Sequence, residues 1–251
     1  MRYLKTILIA LIILTFATPV IAAELAQDLV LYLRMETEAG GVTPDSSGAG
    51  NTGAITGATA GEGLRGGGYL FDGADDFINA GSDASIDSTF DGGGTVAAWI
   101  NPSSDGEGNI GRIVSKWTSN AGWLVGVASE AASKVKLELY YFFSGDDGHW
   151  RTTNTEIDIN TWTHVAFTYN SDAVGNDPVF YVNGSVVSIT EVVTPTGTRQ
   201  SDAAQNLRIG NNSVDTDNTF DGSIDEVMVF NELRTKAQIQ ADMMGFLQGG
   251  M

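Results

Sequence analysis

Glu156 and Asp158, in the stretch "EIDIN", stand two residues apart among strand-forming residues, so an extended chain puts both carboxylates on one side. Two carboxyl groups about 5 Å apart, one acting as nucleophile and one as acid/base, are the machinery of retaining glycoside hydrolysis. Asn160 and Thr161 follow without a carboxyl group, and an amide does not titrate near neutral pH. A second group of chemically able residues lies in "SGDDGHWRT", where Asp147, His149, Trp150 and Arg151 sit between glycines in what reads as a loop. An aromatic face beside hydrogen-bonding groups suits the apolar face and hydroxyls of a sugar, although Trp150 reads more readily as a cap on the core. Trp117 and Trp123, which flank "TSNAG", form another aromatic candidate. His164 reads as a packed, hydrogen-bonded histidine.

Other chemistries are excluded or unsupported. The chain has no cysteine, which removes thiolate metal sites, disulfides and a cysteine nucleophile. No His-x-x-x-His pair or nucleophile-elbow serine is present. Asp215, Asp217 and Thr219 resemble the start of a calcium loop, but Phe220 stands where that loop needs glycine. "GEGLRGGG" (61–68) has neither the lysine-serine pair nor the helix of a phosphate cradle and reads as a mobile loop.

The elements that must position these residues are strands. Short β-branched and aromatic runs separated by Gly, Asn, Asp and Ser fill the chain, among them "LVLYLRM", "TVAAWI", "VKLELYYFF", "THVAFTY" and "SIDEVMVF". Eleven or more strands in one domain imply two packed sheets. Asn183-Gly184, between "VFYV" and "SVV", predicts a type I′ hairpin. Thr235 and Gln238 make a capping box that opens a short amphipathic helix with Ile239 and Met243 one turn apart. Phe-Asp-Gly recurs at Phe71, Phe90 and Phe220, with no period that would suit a repeat protein.

Arg2 and Lys5 precede an apolar run, then Pro19 and small residues, which predicts a secretory signal peptide over 1–22 and one domain over 24–248. Thr15, Thr18 and Pro19 break the run before it is long enough for a stable transmembrane anchor. Loss of Arg2 and Lys5 leaves 11 basic against 31 acidic residues, a formal charge of −20. That charge disfavours nucleic acid as a partner and makes oxygen-ligand cation sites plausible.

Nine segments in order, from "LVLYLRMET" through "DSSGAGNTG", "YLFDGADDFI", "TVAAWINP", "IVSKW", "NTWTHVAFTYN", "VFYVNGSVV" and "LRIGNN" to "FDGSIDEVMVFNELRTKAQIQADM", resemble the blocks of laminin G-like jelly rolls in the concanavalin A-like lectin and glucanase superfamily. The resemblance implies an all-β, two-sheet antiparallel sandwich of about six or seven strands a sheet, one sheet concave, with a short C-terminal helix. Glycosidases of that superfamily carry Glu-x-Asp-x-Glu or Glu-x-Asp-x-x-Glu, and Asn160 and Thr161 leave both forms incomplete, so catalysis is not expected. The resemblance also implies a structural Ca²⁺ on Asp225, with Asp45 and Asn51 as further oxygen donors. The combined expectation is a secreted, periplasmic or cell-surface binding module whose partner is a glycan or an extracellular protein. Its ligand contacts are expected from Trp150, His149, Arg151, Asp147, Trp117 and Trp123. The rivals are a glycosidase or polysaccharide lyase and an adhesive surface protein.

Overall fold

Glycine and asparagine turns join short alternating runs into strands that stack as two antiparallel sheets. The computed structural model describes residues 26–36, 40–203, 205–212 and 217–245. The expected signal peptide and Asp215 of the rejected calcium loop lie outside them. Among the described residues no helix is long and apolar enough to cross a membrane.

The first sheet has eight strands. Across it run β15 (Ser185–Val187), β14 (Val179–Val182), β13 (Thr163–Tyr169), β7 (Gly94–Pro102), β18 (Asp221–Phe230), β5 (Gly67–Asp72) and β4 (Thr59–Glu62). Strand β1 (Leu29–Leu33) pairs with the far half of β18, which is long enough to hold both β5 and β1 on one side. The second sheet has ten. Its order is β16 (Ile189–Val193), β11 (Gly148–Thr152), β10 (Lys134–Tyr141), β9 (Ala121–Ala131), β8 (Ile110–Thr118), β17 (Leu207–Ile209), β6 (Phe77–Gly81), β3 (Gly53–Thr56) and β2 (Val42–Thr43), with β12 (Ile157–Asp158) beside β10. The sheets are therefore larger than six or seven strands, because short strands flank the ones legible in sequence.

Alternation decides the core. Val165, Phe167 and Tyr169 point inward from β13 and meet Trp123, Leu137, Leu139, Tyr141 and Trp150 from the ten-stranded sheet in one buried cluster. Aromatic edges fix its geometry, with Phe90 4.9 Å from Trp123 and Trp150 5.2 Å from Tyr169 between ring centroids. Helix α1 (Lys236–Met244), capped by Thr235 and Gln238 as expected, lies over the outside of the eight-stranded sheet. There Ile239 joins Tyr32, Ala97, Ala166, Tyr181, Met228 and Phe230 in a second cluster. Arg234, whose side chain is completely buried, holds Asp242 of α1 through 2.7 and 3.1 Å bonds.

Asn183 (φ 47°) and Gly184 (φ 69°) form the two-residue turn between β14 and β15. Asn183 does more than turn, since its Oδ1 accepts the His164 amide at 3.0 Å. Two local expectations are corrected. "GEGLRGGG" is the β4–β5 hairpin, pinned by the Arg65 amide on Asp225 Oδ2 (3.1 Å) and the Gly67 amide on Glu36 (2.9 Å), and not a mobile loop. "GHWRT" is strand β11, not a loop.

Candidate functional site

The β11 assignment divides the expected ligand residues. In a strand, neighbours face opposite ways, so His149 and Arg151 leave by the outer face while Trp150 enters the core. The Trp150 indole is fully buried and donates to Asp177 at 2.8 Å. Trp123 is likewise fully buried and donates to Asp202 at 2.9 Å. Both are corrections to the sugar-stacking expectation: a ring closed in by the core and held by its N–H offers no face to a ligand.

Trp117 has the opposite fate. It lies on the other side of β8 from the Trp123-facing residue Lys116, is only half-buried, and packs on Phe142 at 5.8 Å between centroids. Beside them the Thr118–Ala121 turn and the 142–147 loop border a cleft of roughly 370 Å³, lined by Ser119, Asn120, Phe142, Phe143, Asp147 and Gln200 among others. Asp147 is anchored there, since Oδ1 accepts the Phe143 amide at 3.0 Å and closes the loop on itself. The structure thus gathers Trp117 and Asp147 at one end of the sandwich and leaves His149 and Arg151 on the adjoining sheet face.

That face holds residues the sequence reading missed. Glu138 of β10 is completely buried although it projects outward, because Arg112 Nη1 (2.7 Å) and Arg151 Nε (2.9 Å) close over it. His149 Nε2 lies 3.5 Å from the same carboxylate, and its ring stacks on Tyr140 at 3.7 Å and 14°. Burial works to raise the Glu138 pKa, but His149 and the two guanidinium groups outweigh it and hold the group below its usual range. At Arg112 burial, with the neighbouring Arg151 charge, outweighs Glu138 and lowers the pKa. The period-two sets Lys136-Glu138-Tyr140 and His149-Arg151 put these residues on the outer faces of their strands, and only the strand register brings them together.

"EIDIN" does different work. Ile157 is buried against β10, while Asp158 points outward and pairs with Lys134 at 2.7 Å, both groups well exposed. Asn160 adopts a positive φ (58°) and its amide binds the Pro102 carbonyl, turning the chain towards β13.

The expected cation donors are each held by their own surroundings. Asp45 accepts five bonds of 2.7–3.0 Å, from the amides of Tyr32, Ser47, Gly50 and Asn51 and from the Ser47 hydroxyl, so both its oxygens are occupied by its own loop. Asn51 spends its amide nitrogen on the Val30 carbonyl and Ser85. Asp225 is wholly buried, with Oδ1 lacking a hydrogen bond, and desolvation pushes its pKa up to about 7. Among the described residues, oxygen donors gather instead at Asp72, Asp75 and Asp76, whose ligand atoms lie within 4.8 Å of one another. Burial and the other two carboxylates raise the Asp76 pKa.

His164 is packed as expected, edge-on to Trp99 at 5.4 Å, but its Nδ1 has no hydrogen-bond partner. Desolvation, with Arg65 nearby, drives it down to about 3, so it stays neutral.

With two stacked sheets and this order of strands in place, a sequence profile described as the concanavalin A-like lectin/glucanases superfamily, Laminin_G_3, matches residues 72–240. The chain belongs to this family. Its laminin G-like sandwich is also similar to solved structures. The binding domain of Paraclostridial Mosquitocidal Protein 1 superposes with a TM-score of 0.66 at 16% identity, over 88% of this chain and 52% of that one. The binding domain of botulinum neurotoxin DC, in complex with rat synaptotagmin II, gives 0.63 at 13% identity over 88% and 52%. A botulinum neurotoxin type C structure, described by cell entry dependent on two ganglioside molecules, gives 0.62 at 13% over 89% and 52%. The laminin G-like chain spans about half the length of these neighbours, and at such identities they share its fold. Among curated proteins, none matches.

Proposed function

We propose that this laminin G-like domain is an exported, non-catalytic carbohydrate-binding module whose ligand enters the loop-end cleft. The observation that carries this is the cleft itself, with Phe142 and Phe143 beside polar walls from Ser119, Asn120, Asp147 and Gln200, and with the half-buried Trp117 packed on Phe142 behind it. The aromatic rings supply the apolar contact and the polar rim the hydroxyl contacts that a saccharide requires. The toxin neighbours, one described as dependent on interaction with gangliosides and one in complex with synaptotagmin II, support recognition as the use of this fold. Absence of catalysis is supported by Asp158 being tied to Lys134 and by Asn160 in place of the acid/base. A stabilising Ca²⁺ belongs in this reading at Asp72, Asp75 and Asp76, whose ligand atoms lie within 4.8 Å of one another.

A glycan-binding screen with the wild type and Trp117→Ala tests the reading. Retention of at least one neutral glycan, weakened about tenfold or more by the substitution, is expected. No retained glycan overturns it. Melting in Ca²⁺ and in chelator tests the ion: a higher Tm with Ca²⁺, lost in Asp76→Asn, is expected, and equal Tm values overturn it.

A further inference from the structure

The eight-stranded sheet ends in β4 on one side and β15 on the other, and the ten-stranded sheet in β2 and β16. Strand β4 offers Thr59, Ala60, Gly61 and Glu62, with no large apolar side chain, and β2 is two residues long. The strands β15 and β16 are consecutive, so the chain passes from one sheet to the other at Ser188 while Val187 and Ile189 tuck against the core. Val186, Val192 and Val193 face outward, 55%, 49% and 41% exposed. From Ser185 to Val193 there is no lysine, arginine or proline, the residues that ordinarily keep an edge from pairing, and one charge, Glu191. The bulge at Val192 bends this edge without covering it.

An edge strand turns the N–H and C=O of alternate residues away from its sheet. Among the described residues, the backbone of 189–193 makes no hydrogen bond except to β11, so these groups are open to a further strand. Charge selects which strand. Glu191, Asp177 and Asp146 are exposed, and among the described residues none of them makes an ion pair. The Tyr169 hydroxyl is buried without a hydrogen-bond partner, and burial first, then Tyr141, Asp177 and Glu191, push its pKa up, which puts both carboxylates at this edge. Asp177 is fixed there, its Oδ1 accepting the Trp150 indole at 2.8 Å. Asp146 stands just past the end of β16, where its Oδ2 accepts the Thr196 hydroxyl at 3.2 Å. Glu191 lies opposite Trp150, on the core side, and beyond the bulge Val193 lies opposite His149, on the outer side. A second copy of the chain would bring these acids against their own kind, in a molecule of formal charge −18.

We infer that the β16 edge is a docking strand for an extended segment of a partner protein in which aliphatic and basic side chains alternate. The segment pairs its main chain with the five residues of β16, sets its aliphatic groups on Val193 at the outer side, and brings its cations to Glu191 and Asp177 at the inner side. This surface uses none of the cleft residues, and it stands whether or not the cleft takes a saccharide.

Titration of the full chain with three labelled peptides of equal length, at one ionic strength, tests it: alternating valine and lysine, alternating valine and glutamate, and the valine-lysine peptide with proline in place of its central valines. The valine-lysine peptide is expected to bind about tenfold or more tighter than either of the others, and to slow amide hydrogen exchange in β16. Glu191→Lys and Val193→Lys are each expected to weaken it about tenfold while keeping the wild-type melting temperature, because both side chains are exposed. Trp117→Ala is expected to leave peptide binding unchanged. Equal affinity for the lysine and glutamate peptides overturns the inference, because charge then selects nothing. Equal affinity for the proline-interrupted peptide overturns it too, because proline removes the donors that a paired strand needs. A concentration-dependent dimer abolished by Val193→Lys, with no peptide bound, gives the edge to a second copy and likewise overturns it.

Discussion

The two sheets share one core, yet their outer faces are finished in opposite ways. On the eight-stranded sheet, α1 covers Ala97, Ala166, Met228 and Phe230 and makes a second apolar cluster. Among the described residues no helix covers the face of the ten-stranded sheet, and Glu138 is shielded by the side chains that pair with it. A sheet face can be closed by adding an element or by a charge network that closes over itself. Only the second makes stability depend on each charge.

That contrast breaks most visibly at Glu138. Glu138→Ala strands Arg112 as a buried, unpaired cation and is expected to cost about 3–5 kcal/mol, read from the denaturant midpoint. On the helix-covered face, Ile239→Ala removes apolar packing alone and is expected to cost about 2–4 kcal/mol, with local loss of protection in α1 by hydrogen exchange.

Asp225, buried beside the β4–β5 hairpin, sets a pH dependence. Its folded pKa of about 7 stands above the unfolded value of 3.8, so the folded state binds the proton more tightly. The stabilisation is fully present below pH 3.8 and is lost as pH rises through about 7, with a slope of at most ~1.4 kcal/mol per unit. Thermal melts from pH 5 to 8 are expected to fall with pH in the wild type and to flatten in Asp225→Asn. At the small end, removing the exposed Lys134–Asp158 pair by Asp158→Asn is expected to change stability by less than about 1 kcal/mol.

What was legible in the sequence was local. The Asn183-Gly184 turn and the Thr235–Gln238 box are each encoded within a few residues, and the strand runs carry their own alternation. The site was less legible. Trp117, Trp123 and Trp150 look alike in one dimension, and which face of which strand each occupies decides that one meets solvent while two fill the core. Asp45 read as a cation donor because its type is right, and only the folded loop shows five donors already on its oxygens.

The sequence by itself determined an acidic, cysteine-free, all-β chain and the order of its strands, because composition and period-two patterning act over neighbouring residues. Tertiary structure alone decided that Arg112, Glu138 and Arg151, spread over three strands and 40 positions, meet at one carboxylate. Strand register is fixed by burial of the opposite face, and no local pattern around Glu138 specifies which residues the neighbouring strands bring beside it.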